Sequence, residues 1–300
     1  MRNLKDIEFH EKQTITASVE ARLKKPDNNA YDLSKLILMA GLLGNEALYS
    51  DAYNQMELKM VQTEGNLPGW VTAENRPGVL AWLHGRMGLA AYCMKSDGHI
   101  LIANAAVEKE ANNCTSSNKD FVAWARAYQA IGSPTKKYDA KRLIEAAGKS
   151  NVEVLWSWVM VIYAAAHQQD SKIYTAAWEE LGENLGQRTI TEGFTPKNDS
   201  QAWALAMLLS AAQLSGDAIK VEALRPLLRA SIAHPETSAE DKMLAQLTFQ
   251  LVKARVRLDA RENSVIYSPY QYARGMFSSL VQGSQAALRS ASISPTSSRK

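Results

Sequence analysis

The residues with the chemistry to act on a substrate are scattered along this chain. Its five histidines, His10, His84, His99, His167 and His234, fall in different segments. None stands in a His-Glu-x-x-His pair or at a cysteine–histidine spacing of the zinc kind. The nearest grouping is His84, Cys93 and His99. A helix followed by a turn does not easily aim all three at one ion, so no metal is expected. There is no Gly-x-x-x-x-Gly-Lys-Ser/Thr loop, no Gly-x-Gly-x-x-Gly after a strand and no Gly-x-Ser-x-Gly elbow. No cofactor and no catalytic residue are therefore assigned. The glycines of His84-Gly85-Arg86-Met87-Gly88 sit in an apolar helical run, where glycine lets two helices approach. Cys93, after Ala90-Ala91-Tyr92, reads as a small buried residue.

Acids and rings do meet in two long loops. Residues 64–74 carry Glu64, Trp70 and Glu74, and residues 187–198 carry Glu192 and Phe194. Paired acids with stacking rings are what glycoside hydrolysis uses; solvated loop charges are the plainer reading. Large rings on loops also suit a protein partner, so Trp70 and Phe194 are candidate contact residues. Lys253, Arg257 and Arg261 lie four apart on the face opposite the apolar stripe of their helix, and join the same candidate set. With Lys136, Lys137, Lys141 and Arg142 they could also bind phosphates. No aromatics interleave with them, and Asp259 and Glu262 stand nearby, which argues for a solvated face and against nucleic acid.

The elements that would hold these residues are helical. Periodicity of the helical kind dominates, and the one short β-branched stretch, Arg188 to Thr195, is expected to be loop. Ser117/Asp120, Ser150/Glu153 and Thr237/Glu240 have the spacing of capping boxes, and Asp97, Asp170 and Asp199 stand where an N-cap would be. Pro77 and Pro269 suit a first helical turn. Gly44, Gly132, Gly148, Gly186 and Gly216 lie near expected helix ends. These signals predict a leading helix over about residues 5–24. Six antiparallel helical hairpins follow, over about 31–63, 77–112, 118–149, 151–185, 199–233 and 238–288. That is an all-α domain of about 13 helices over 1–288, with a flexible serine-rich tail over 289–300. Short links force the partners of a hairpin to run antiparallel.

A tryptophan between small or apolar neighbours recurs: Ala81-Trp82-Leu83, Ala123-Trp124-Ala125, Ser157-Trp158-Val159 and Ala202-Trp203-Ala204. It reads as the side chain that fills the seam between adjacent hairpins. Val152–Ala166 and Ala202–Leu214 are apolar on nearly every side and should lie at the centre. Ala211, Ala223, Ala230 and Pro235 in the fifth hairpin, with Gly44 and Pro68 in the first, fall in a spacing similar to the small residues and terminal proline of tetratricopeptide-like repeats. The chain resembles those proteins in its stacked hairpins, which implies an α-solenoid-like fold that binds protein partners. In helix count and aromatic content it also resembles the α/α-toroid family, including the six-hairpin glycosidases. That resemblance implies a closed ring and acids at loop ends.

The composition bounds the function. The chain has 300 residues, 46% of them hydrophobic, and a net charge of +3, too small to imply a polyanionic partner. Two cysteines suggest a reducing compartment. The start, Met1-Arg2-Asn3-Leu4-Lys5-Asp6, has no apolar run of the signal-peptide kind, and no stretch is long enough for a membrane span. The expectation is a cytoplasmic, non-enzymatic interaction scaffold or adaptor subunit of a larger assembly, for which a bacterial secretion machine is one candidate. Its partners would be other protein subunits. The alternatives are an α/α-toroid carbohydrate-active enzyme using loop carboxylates, and a nucleic-acid-binding helical protein.

Overall fold

The computed structural model describes residues 12–62, 67–114, 119–132, 144, 147, 154–194 and 201–249, all within one compact unit, Met1–Leu251. Among them the regular structure is helical, with no strand. The helices are α1 (Lys12–Leu23), α2 (Ala30–Leu43), α3 (Glu46–Gln62), α4 (Arg76–Cys93), α5 (Asp97–Asn112), α6 (Lys119–Gly132), α7 (Val154–His167), α8 (Ser171–Leu185), the single turn α9 (Ile190–Gly193), α10 (Gln201–Leu214), α11 (Ala218–Ala233) and α12 (239–249).

The pairing follows from the links. Two or three residues join α2 to α3, α4 to α5, α7 to α8 and α10 to α11, so each pair folds back on itself. Gly44 and Gly216 turn two of these corners with positive φ, as expected. Lys95 and Gln169 turn the other two in the same left-handed region, which costs about 1 kcal/mol each for residues with a Cβ. Neither residue type announces such a turn.

The first member of each pair packs on the first member of the next: α2 on α4, α4 on α6, α6 on α7 and α7 on α10. They form an inner row, and the second members lie outside it. Burial separates the two layers. In α10 every residue from Gln201 to Ala212 is buried, and in α7 every residue from Ser157 to His167. In α5 only Ala103 and Val107 are buried, and in α11 only Leu224, Leu228 and Ser231. The outer helices thus present one apolar stripe each, while the inner helices are covered on every side.

Small residues set the inner spacing. A Cβ on Gly41 would stand 2.7 Å from the Ala90 Cα, and one on Gly85 would stand 2.8 Å from the Ala125 Cα. Both obstacles are backbone, so the helices would have to separate. Gly85→Ala is expected to lower stability by about 1–3 kcal/mol, read as a fall in melting temperature. Gly69→Ala, where a Cβ meets nothing within 4 Å, is the control and should barely change it.

The inner row returns to its start. On α12, the Asp241 carboxylate accepts hydrogen bonds from the Ala202 and Trp203 backbone N–H groups at the start of α10, at 2.9 and 3.0 Å. One residue earlier, Glu240 pairs with Lys35 of α2 at 2.7 Å and with Arg22 of α1. The sixth inner helix therefore touches both the fifth and the first, and the row closes into a ring. Burial opposes ionisation of Glu240, but the Lys35 and Arg22 cations outweigh it and hold its carboxyl below the ordinary 4.5. A depressed folded value means the clasp contributes fully above about pH 4.5 and is lost as pH falls through the folded value. Urea unfolding at pH 6 and pH 3.5 should show an acid loss that Glu240→Gln reduces by about 1 kcal/mol.

Several helix starts differ from expectation. Thr237 and Glu240 do not form a capping box. Thr237 donates to the Ser231 carbonyl, Ser238 caps α12 by accepting from the Asp241 N–H, and Glu240 is drawn away by its two cations. Asp97 is the first helical residue of α5, with Ser96 before it. Of the stretch Arg188 to Thr195, the described part up to Phe194 is not plain loop, because Thr189 and Glu192 close a capping box that holds the turn α9. Asp170 does cap α8, accepting from the Ile173 N–H, and Pro77 sits in the first turn of α4. Ser117, Ser150, Glu153, Gly148, Asp199 and Pro269 lie outside the described residues, as do the leading helix before Lys12, the second half of the sixth hairpin and the boundary at 288. Among the described residues no helix is long and apolar enough to cross a membrane.

Candidate functional site at the aromatic rim

Antiparallel pairing makes the inner helices parallel, so their N-termini share one rim of the ring. Aromatic residues gather in the first two turns there: Tyr31 on α2, Trp82 on α4, Phe121 and Trp124 on α6, Trp156 on α7 and Trp203 on α10. Each seam joins two of them or carries a polar tie. Trp82 meets Trp124 edge-on at 5.0 Å, and Trp156 meets Trp203 at 5.4 Å. Trp124 donates its indole N–H to Ser157 of α7, and Trp203 donates to Thr248 of α12. At Trp124 and Trp203 the recurring tryptophan is thus seam packing, with its indole N–H satisfied across the seam. In α7 the ring at the rim is Trp156, while Trp158 lies deeper and buried.

The loop before α4 adds Trp70. Its backbone is fixed by local bonds: Val71 N–H to the Pro68 carbonyl at 2.9 Å, and a reciprocal pair between Thr72 and Asn75. The Asn75 amide also donates to the Trp70 carbonyl. The Trp70 ring stacks on Phe121 at 6.1 Å and meets Tyr31 edge-on at 5.9 Å, yet the residue is 47% exposed. A large ring is held half in water on a bed of other rings.

Under that bed lies Arg86. It is 1% exposed, on the same face of α4 as Trp82, one turn deeper. Its guanidinium stands 3.8 Å over the Trp82 ring and 5.1 Å from the Tyr31 ring. One Nη donates to the Ser34 hydroxyl of α2 at 3.3 Å, and the Tyr128 hydroxyl of α6 accepts another hydrogen bond from it. Burial pushes the Tyr128 hydroxyl up against the opposing pull of that cation. Among the described residues Arg86 makes no ion pair, and its Nε has no hydrogen-bond partner. Burying a cation costs several kcal/mol. Two cation–π contacts return about 2 kcal/mol each, which leaves the charge only partly compensated.

Phe194 is placed otherwise than Trp70. It is 5% exposed and packs edge-on against Trp156 at 6.1 Å, in a second aromatic cluster. Gln201 fixes it there by donating to the Phe194 and Thr191 carbonyls while accepting from Ser231. Glu192 is exposed and spent locally: the Thr189 N–H, then the Thr189 hydroxyl, hold its carboxyl below the ordinary range. Glu74 is exposed, and Glu64, Lys253, Arg257 and Arg261 lie outside the described residues.

The remaining chemistry is dispersed. No group of histidine, cysteine and carboxylate residues able to hold a metal occurs among the described residues. Burial, helped by Lys109, lowers His84 to about 4, so it stays neutral. Burial pushes the Cys93 thiol up to about 12, so it is inert. His99 is stacked on Tyr53 at 3.9 Å and hydrogen-bonded to the Tyr49 hydroxyl at 2.9 Å. The sequence signal for Arg86 was present, a lone charge four residues after Trp82 on an apolar face, but its neighbours Gly85 and Gly88 draw the eye first. No family model matches the chain, and comparison with curated proteins and with solved structures found no match.

Proposed function

We propose that this protein is a non-enzymatic interaction scaffold, an adaptor subunit that presents the aromatic rim of its helical ring to a protein partner. The observation that carries the reading is Trp70. Tryptophan is the residue type most enriched among those that dominate interface energetics, and such anchors are preorganised by the surface beneath them. Here the loop is braced by its own hydrogen bonds and the ring by Phe121 and Tyr31, so little ordering remains to be done on binding. A cytoplasmic assembly is the setting this reading assumes. The test is stoichiometric co-purification from the native cell with Trp70→Ala beside Leu101→Ser. Leu101 is a 65% exposed apolar residue on the outer helix α5, away from the rim. The reading expects the first variant to lose the partner and the second to keep it. Equal retention by both would remove the rim from the account.

The closed ring favours one second reading, an α/α-toroid carbohydrate-active enzyme. Its acids would have to come from the rim loops. Glu192 is occupied by the α9 cap and Glu74 is exposed, which weakens that reading relative to the first.

A further inference from the structure

We infer that Arg86 is a binding residue for an oxyanion carried on a flat ring, an aryl carboxylate or aryl phosphate, taken up beneath Trp70. Four features support this. The cation is buried between the first three inner helices with no carboxylate to neutralise it among the described residues. Its Nε carries an N–H with no acceptor, and a buried donor left unpaired is costly. The hydroxyls beside it are already committed: Ser34 donates to the Tyr31 carbonyl and accepts from Arg86, and Tyr128 accepts from Arg86. What lies over it is aromatic, Tyr31 and Trp82, with Trp70 and Phe121 beyond. An oxyanion would supply the missing charge and the missing acceptor together. Its ring would take the place of Trp70 against Phe121 and Tyr31.

The way in is the loop 67–75. Its hydrogen bonds run within the loop and to the first turn of α4, where the Arg76 and Val79 N–H groups donate to the Thr72 and Asn75 carbonyls, and Leu67, Val71 and the Trp70 ring pack on the body. The inference does not rest on the partner reading, since it is carried by the buried Arg86 beneath the rim and not by the exposed face of Trp70.

The test uses the full chain with benzoate and phenyl phosphate as probes, followed by tryptophan fluorescence and melting temperature. Inorganic phosphate and benzyl alcohol supply the anion alone and the ring alone. The expected result is a saturable fluorescence change and a rise in melting temperature with both aryl anions. Each single-feature probe should need at least tenfold more. Arg86→Met should fold, because it removes an unpaired buried charge, and should lose the response. Arg86→Lys, which keeps the charge without the fork, should weaken it about tenfold. No saturable response in the unaltered protein, or an undiminished one in Arg86→Met, overturns the inference. A benzyl alcohol response equal to that of benzoate does so too, since the pocket would then be merely aromatic.

Discussion

Replacing Asp241 with alanine is expected to lower stability by about 3–5 kcal/mol, the largest loss from any single exposed or buried polar residue described here. The side chain is 2% exposed, and both its oxygens accept from backbone N–H groups at the start of a helix 38 and 39 residues away in sequence. Those groups belong to the turn where an α-helix has no partners of its own for its donors. Where Asp170 and Asp217 cap their own helices, α10 borrows its cap from the next inner helix. Removing the carboxylate leaves two buried donors unpaired and takes a negative charge from the positive end of the α10 dipole. Domains of ordinary stability have about 5–15 kcal/mol in hand, so the variant should lie near the edge of folding. Asp241→Asn keeps one good acceptor and should lose about half as much. Urea titration measures both, and a loss below about 1 kcal/mol for alanine would contradict the capping role.

Trp70→Ala is expected to behave in the opposite way: nearly unchanged folding and a large loss of binding. The ring is half in water, so truncation forfeits only part of its apolar burial, about 1 kcal/mol. A central tryptophan at an interface typically accounts for 2 kcal/mol or more of affinity, about thirtyfold. The prediction is therefore a weakening of at least that size in the dissociation constant of the purified complex, with a melting temperature within a few degrees of the unaltered protein. Trp70→Phe should recover part of the affinity, since a smaller ring can still rest on Phe121. If the alanine variant binds as well as the original, Trp70 is an ornament of the rim and the partner sits elsewhere.

The contrast between these residues shows what the sequence makes legible. Pairing was readable because it is local. Gly44, Gly216 and Asp170 act on the residues beside them, and the apolar runs of α7 and α10 had to be covered whatever their surroundings. The ring was not readable, because its closure depends on contacts across most of the chain. Glu240 sits three residues after Thr237 and so looks like half of a capping box; only its meeting with Arg22 and Lys35, more than 200 residues earlier, takes it away. Asp241 carries no local sign of capping a helix other than its own. In the candidate site, Trp70 was visible as a large ring in a loop. Phe194 looked equivalent, and differs because Gln201 reaches back and draws its backbone onto α10. Arg86 was hidden by its helix, where a cation among apolar residues gains meaning only from the Tyr31 and Trp82 faces that enclose it.

The central claim is that the rim around Trp70 is where this protein meets its partner, and site-specific photo-crosslinking tests it most directly. A photoreactive phenylalanine analogue is placed at position 70, and separately at position 101 on the outer face, and each variant is irradiated in the native cell. The account predicts one dominant adduct through position 70, suppressed when the unaltered protein is co-expressed in excess, and little from position 101. A dominant adduct through position 101, or none through position 70, would contradict it.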